Sequence, residues 1–447
     1  MDTSKTQATL ARDLSQFIFD TKFEALPDAT VLLAKSCILD ALATSLAARD
    51  LPVPAVARKF VQHNRGQATV IGHALRVPAI DAAFVNATLV NGCTHDDFLE
   101  KSHPGAVTIP AALAIGEEQN SSGRDLLTSV VVGYDLVARA YLGGPTMLPF
   151  FRGSGVAGAV GAAAAAGKML GLQSAELVNA LGCSTMFASG FGEGFHHGTM
   201  DVKLNVGWAA RSGVSAAVLA QCGATAAPTT FEGRSGYFQA FARSVEQSHE
   251  ATRDLGKRFL IHDVIYKERP VCIFVQTPVH LALVLKLQHQ LRPEQIDRVR
   301  IRSPLATLTN PGFQNIHPYE APLKARVSAR FTVAAALSGK PVELYQFYEN
   351  FTDPEVLALA DRIDLLDPAS DQDGRVDVEI DCGGITHALS GMEMDTLQPT
   401  KEKIVAKFRR LTSFMPGERS EKILAMVLDL ERLEHIRDLT ALLHADE

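Results

Sequence analysis

A chain of 447 residues with 47% hydrophobic and 21% charged side chains has room for two or three domains and enough apolar material for a sizeable core. A net charge of −7 without any Lys/Arg stripe excludes a partner bound through nucleic-acid phosphates. Met1–Phe23 is polar and lacks the apolar centre of a signal peptide. The most membrane-like stretch, Val156–Ala166, is short and followed by Lys168, where a spanning helix needs about 20 apolar residues, so a cytoplasmic protein with no membrane partner is expected.

Pro27–Arg49 reads as the first helix, with Pro27 near its start and Val31, Ala34, Ile38, Leu42 and Leu46 at helical spacing. Ile80–Val90, Pro110–Glu118, Leu126–Tyr141, Val156–Leu170, Ala175–Phe187, Gly207–Cys222, Thr277–Gln290 and Lys401–Thr412 follow as helices. Ala and Gly fill many of them, and small residues let helix axes approach closely. The character changes after about Tyr266. Gln295–Ser303 reads as a strand, and Arg375–Asp381 alternates Val376, Val378 and Ile380 with polar residues as a half-buried strand does. A turn at Asp381–Gly384 returns Ile385–Leu389 as its hairpin partner, and helices at Val327–Leu337 and Pro354–Ala360 lie between. The expected fold is mainly α: a large all-helical domain over 1–265 and 401–447, plus a smaller α+β domain over 266–400. The six cysteines stand far apart without a CxxC pair, which suits reduced thiols.

The densest polar cluster runs from Asn91 to Ala106 between two apolar helices, with His95, Asp96, Asp97, Glu100, Lys101 and His103 in it. A loop held by rigid helices is a usual place for catalytic groups, and acid–base chemistry on an acidic substrate is one reading of it. A solvated loop with a capping Asp is the other. Gly190-Phe191-Gly192-Glu193-Gly194 lacks the preceding strand and the spacing of a dinucleotide loop, and adjacent His196-His197 rarely face one ion. No cofactor and no metal are expected.

His95-Asp96-Asp97, followed by His103-Pro104-Gly105-Ala106 and Pro110-Ala111, is similar to a motif pair of the MmgE/PrpD family. Gly133-Tyr134-Asp135, Arg152-Gly153 with its Ala-rich helix, Gly198-Thr199-Met200 with Lys203-Leu204, Lys267-Glu268-Arg269-Pro270-Val271-Cys272 and Lys403–Leu411 resemble further motifs in the same order. The resemblance covers nearly the whole chain. It implies a helical domain plus a chorismate-mutase-like α+β domain, a homodimer, and proton movement beside a carboxylate of a small di- or tricarboxylate. It makes His103, Lys267, Asp97 and Lys203 the candidate catalytic residues, and Asp96, Lys101, His95 and Arg152 the candidate substrate-binding ones.

Three positions depart from the family pattern. Phe98 replaces the Thr that closes the D-D-T motif, Ser154-Gly155 stand where an R-G-F-H motif has its His, and Val202 takes the place of a Lys, with Lys203 one residue later. Removing a proton beside a carboxylate builds a dianionic enediolate, so a site needs cations as well as a base, and a histidine with a pKa near about 6.5 suits the base. An epimerase needs two proton-transfer groups but no acid for a leaving hydroxyl. The expected activity is therefore an isomerase acting on an iminodisuccinate-like amino-dicarboxylate. A 2-methylcitrate-type dehydratase, a cis-aconitate-type decarboxylase and a non-catalytic carboxylate binder are the alternatives.

Overall fold

The computed structural model describes residues 8–148, 150–368, 374–393, 397–398 and 400–445. They form two compact units. One holds the described residues of Met1–Gly192, Asp201–Val264 and Thr400–Glu447, and the other Glu193–Met200 and Ile265–Pro399.

The first unit is helical and is built around Gly153–Met169. That helix reads GSGVAGAVGAAAAAGKM, and all of it except Lys168 is buried. A helix apolar all round belongs at a centre, where neighbours cover every face. Gly123–Leu142, Asp201–Gln221 and Pro104–Gln119 pack on it. Glycine sets the spacing: a Cβ on Gly161 would lie 2.2 Å from Val137 Cγ2, and one on Gly213 would lie 2.4 Å from Ala162 Cβ. Among the described residues Asp28–Ala47, rather than Val156–Ala166, is long and apolar enough to cross a membrane, yet most of it is buried here and it carries Lys35 and Asp40. Residues 1–7 of the polar N-terminal stretch lie outside the described residues. Leu10–Asp20 forms an amphipathic helix capped by Thr9.

Two helices begin one to two turns before the sequence placed them. Pro104, not Pro110, starts the fifth long helix, because proline at the first position has no N–H to waste. Pro110 then sits inside the buried helix, where neighbouring packing offsets the missing hydrogen bond. The helix placed at Gly207 starts at Asp201, so Val202 and Lys203 lie on its first turn. A small antiparallel ladder, β1 (Ala68–Thr69) with β2 (Arg76–Val77), completes the strands of this unit.

The second unit carries a four-stranded sheet of β3 (Ile296–Arg302), β4 (Ile363–Leu366), β5 (Arg375–Cys382) and β6 (Ile385–Met392) in the order β4-β3-β5-β6. β3 runs parallel to β4 and antiparallel to β5, and β5 turns into β6 through Gly383-Gly384. Period-2 alternation sends Val299, Ile301, Val376, Val378 and Ile380 to the buried face, beside the Ile273–His289 helix. On alternate positions Arg300 pairs with Glu379 at 2.7 Å and with Asp381 at 2.7 Å. The molecule is thus mainly α with a smaller α+β region.

Candidate active site

The helical unit gathers its polar side chains where the Ala79–Gly92 helix ends and the Pro104–Gln119 helix begins. Asn91, on the last turn of the first helix, is fully buried and joins three groups. Its amide nitrogen donates to Asp96 Oδ2 at 2.7 Å, its amide oxygen accepts from Arg152 Nη2 at 3.0 Å, and its backbone carbonyl accepts from Lys203 Nζ at 2.8 Å. Lys203 also donates to Thr94 Oγ1 at 2.9 Å. Arg152 caps the central helix, and Lys203 reaches in from the first turn of Asp201–Gln221. Two cations and a carboxylate are thereby held together in a setting where both cations are almost wholly buried. Burial draws the Arg152 guanidinium down to about 10, while Asp96 and Asp201 support its charge.

His103 forms the N-cap of the next helix, and its Nδ1 lies 2.8 Å from the Asp97 carbonyl and 3.2 Å from Asp96 Oδ2. An imidazole held at Nδ1 by a carbonyl and a carboxylate is fixed in tautomer and orientation. Asp97 faces the other way. It accepts from the Gly105 backbone N–H at 3.1 Å and from the Tyr134 hydroxyl in a short hydrogen bond. Burial pushes the Asp97 carboxyl up to about 8, with Asp40 and Asp96 adding repulsion against the two hydrogen bonds. Gly105 is required for this contact, since a Cβ there would lie 2.6 Å from the Tyr134 oxygen and 2.8 Å from both Asp97 oxygens.

Two of the three departures from the family pattern touch His103. The Phe98 ring meets the His103 ring edge-on at 5.4 Å between centroids. Ser154 Oγ accepts the His103 backbone N–H at 3.0 Å. The third is compensated: Val202 is buried, and Lys203 from the next position brings an ammonium to the same loop.

Of the sequence candidates, Asp96, Asp97, His103, Arg152 and Lys203 converge. His95 is buried, and its carbonyl accepts from Lys407 Nζ at 2.5 Å. Lys101 is exposed at the tip of a turn, where Leu99 and Ser102 exchange hydrogen bonds of 3.0 and 2.9 Å. Lys267 belongs to the second unit, where it is buried. Asn91, Tyr134 and Ser154 were missed as site residues. Asn91 carried a signal all the same, as an amide on the polar end of an otherwise apolar helix.

Fold and loop together define a known class of protein. Residues 12–250 match the MmgE/PrpD N-terminal domain and residues 270–432 the MmgE/PrpD C-terminal domain. The chain belongs to the MmgE/PrpD family. It is 26% identical to a cis-aconitate decarboxylase of Aspergillus terreus over 99% of this chain and 97% of the relative. It is 26% identical to the cis-aconitate decarboxylase-like protein oryM of Aspergillus oryzae, over 99% of both, and 24% identical to the cis-aconitate decarboxylase of Homo sapiens, over 97% of this chain and 94% of that one. These relatives correct the expected isomerase, because decarboxylases are lyases. The expectation failed on the departures: Phe98, Ser154 and Val202 were read as lost lyase groups, whereas the structure sets two of them around His103 and brings a lysine to the loop beside the third.

Proposed function

We propose that this chain is a lyase that decarboxylates a small unsaturated tricarboxylate of the cis-aconitate type. The supporting observation is the buried set of Arg152 and Lys203 joined through Asn91 to Asp96, with His103 on the same carboxylate. Full-length similarity to decarboxylases supports the reaction class.

The chemistry follows from the groups. The bond from carbon to the leaving carboxylate breaks, and carbon dioxide departs. The electron pair moves through the adjacent double bond to the carbon beside a second carboxylate. Charge accumulates on that carboxylate as a dienolate, and a proton then closes the reaction at the carbon. Arg152 and Lys203 stabilise the dienolate from a low-dielectric setting, where fixed cations act strongly. His103 delivers the proton from Nε2, since Nδ1 is turned to Asp97 and Asp96. No hydride or electron leaves the substrate in these steps.

The test is incubation with cis-aconitate in heavy water, followed by proton NMR and by trapping of carbon dioxide. The expected result is one carbon dioxide per product and one deuterium at the protonated carbon. Absence of carbon dioxide from cis-aconitate, with water lost from 2-methylcitrate instead, would move the chain to the hydro-lyases.

A further inference from the structure

A cavity of about 530 Å³ opens in the helical unit beside the C-terminus of the Leu10–Asp20 helix, with Lys22, Ser122, Arg124, Thr128, Ser129 and Lys168 in its wall. None of these residues belongs to the His103 cluster. Lys168 Nζ donates to the carbonyls of Ile18 at 2.7 Å and Phe19 at 3.1 Å, and Lys22 Nζ donates to that same Phe19 carbonyl at 3.0 Å. The two ammonium nitrogens therefore lie within about 6 Å of each other.

Helix C-terminal carbonyls attract one cation readily. They do not call for two on one oxygen. Among the described residues neither lysine has a carboxylate within ion-pair distance. Two carboxylates share the wall: Asp125 closes a capping box with Ser122, and Glu24 lies 3.5 Å from Arg124, so an anion on Arg124 would take the place of Glu24. Burial, with repulsion from Lys22 added to it, draws the Lys168 ammonium down to about 8, with Asp20 and Asp125 opposing. Ser129 is fully buried in the same wall, and among the described residues its hydroxyl has no hydrogen-bond partner. Two crowded lysines, a nearby arginine and an unsatisfied hydroxyl around one cavity are what an anion would complete.

We propose that this cavity binds a small polyanion, bearing carboxylate or phosphate groups, between Lys22, Lys168 and Arg124. Such a ligand bridges the two ammonium groups and relieves their repulsion. The site is separate in residues from the His103 cluster, so it is a second ligand site on the same unit.

Calorimetric titration of the full chain with inorganic pyrophosphate, and separately with tricarballylate, tests the proposal. The wild type is expected to bind at least one probe, and His103→Ala to bind it equally well. Lys22→Glu, a change at an exposed residue that leaves the core intact, is expected to weaken that binding at least tenfold. Binding of pyrophosphate alone identifies a phosphate site, and binding of tricarballylate alone a carboxylate site. No heat with either probe at tens of millimolar, or equal affinity in Lys22→Glu and wild type, would overturn it.

Discussion

His103 is held on four sides: the Asp97 carbonyl and Asp96 at Nδ1, Ser154 at the backbone and Phe98 at the ring. General acid–base groups contribute about 10²–10⁴-fold, so His103→Ala is expected to lower kcat at least about a hundredfold with the fold kept, read by steady-state kinetics beside circular dichroism. A kcat within a few-fold of wild type would reduce His103 to a helix cap. Asp97 gives a prediction of a different kind. Its carboxyl rises from 3.8 unfolded to about 8 folded, so the native state holds a proton that the unfolded chain has released between those values. Its contribution to stability is complete below about pH 4 and is lost as pH rises towards 8. Asp135, raised to about 6, has the same sign and ends earlier, which makes pH 6 to 8 the diagnostic window. Asp97→Asn should flatten the stability loss there, an effect of at most about 3 kcal/mol at about 1.4 kcal/mol per pKa unit. Urea melts at both ends of the window measure it, and equal slopes in the two proteins would refute the assignment. At this scale the sequence exposed Asp96, Asp97 and His103, because a charged loop interrupts two apolar helices, whereas Arg152 and Lys203 were reached only through the family resemblance. It hid Tyr134, which reaches Asp97 from 37 positions away, and it could not show that Phe98 and Ser154 serve His103.

Helices with one long apolar pattern were legible to within a few residues, as Asp28–Ala47 and Ser174–Phe187 show. So was the β5–β6 hairpin, where alternation and Gly383-Gly384 coincide. Short elements were not. β4, Ile363–Leu366, is four residues without alternation and gains its identity only by pairing with β3. Gly417–Leu428 and Ile436–Leu443, of 12 and 8 residues, are short and begin without a side-chain cap. The turn between Leu99 and Ser102 was equally hidden, because Glu100 and Lys101 adopt φ of 45° and 58°, where glycine or asparagine is usual. Non-glycine residues held there cost roughly 1 kcal/mol each, and such strain gathers at functional loops. Glu100→Asn with Lys101→Gly supplies the residues that a two-residue turn of this hand prefers. The double variant should therefore be more stable by about 1 kcal/mol, seen as a rise of a few degrees in Tm. A fall in Tm would mean that contacts of the two side chains outweigh the strain. If Tm rises and kcat falls, the turn residues themselves serve catalysis.

Across the whole helical unit, the C-terminal segment returns to the N-terminal helices and tethers the candidate catalytic loop through one lysine. Lys407, on the Lys401–Leu411 helix, donates to the His95 carbonyl at 2.5 Å and pairs with Asp40 of the Asp28–Ala47 helix at 2.6 Å. Residues 40, 95 and 407 thus meet at one buried point, with Lys407 and Asp40 almost fully shielded from water. Such a pair is costly to desolvate, so its net contribution to stability is small, but breaking it strands a charge. Lys407→Met leaves Asp40 buried near Asp97 and removes the donor from His95. A loss of about 3–5 kcal/mol is expected. Lys407→Met with Asp40→Leu removes both charges and should recover most of that stability. It does not restore the hydrogen bond to the His95 carbonyl, so the loop loses a tether that the stable double variant can report on. The expected outcome is a near wild-type melting temperature with reduced kcat, because His95 stands one residue before Asp96, which supports His103. Thermal melts and steady-state kinetics on the single and double variants separate the two roles. If the double variant melts as low as the single one, the pair stabilises the fold outright. If it melts and turns over like wild type, the His95 tether has no part in holding the site.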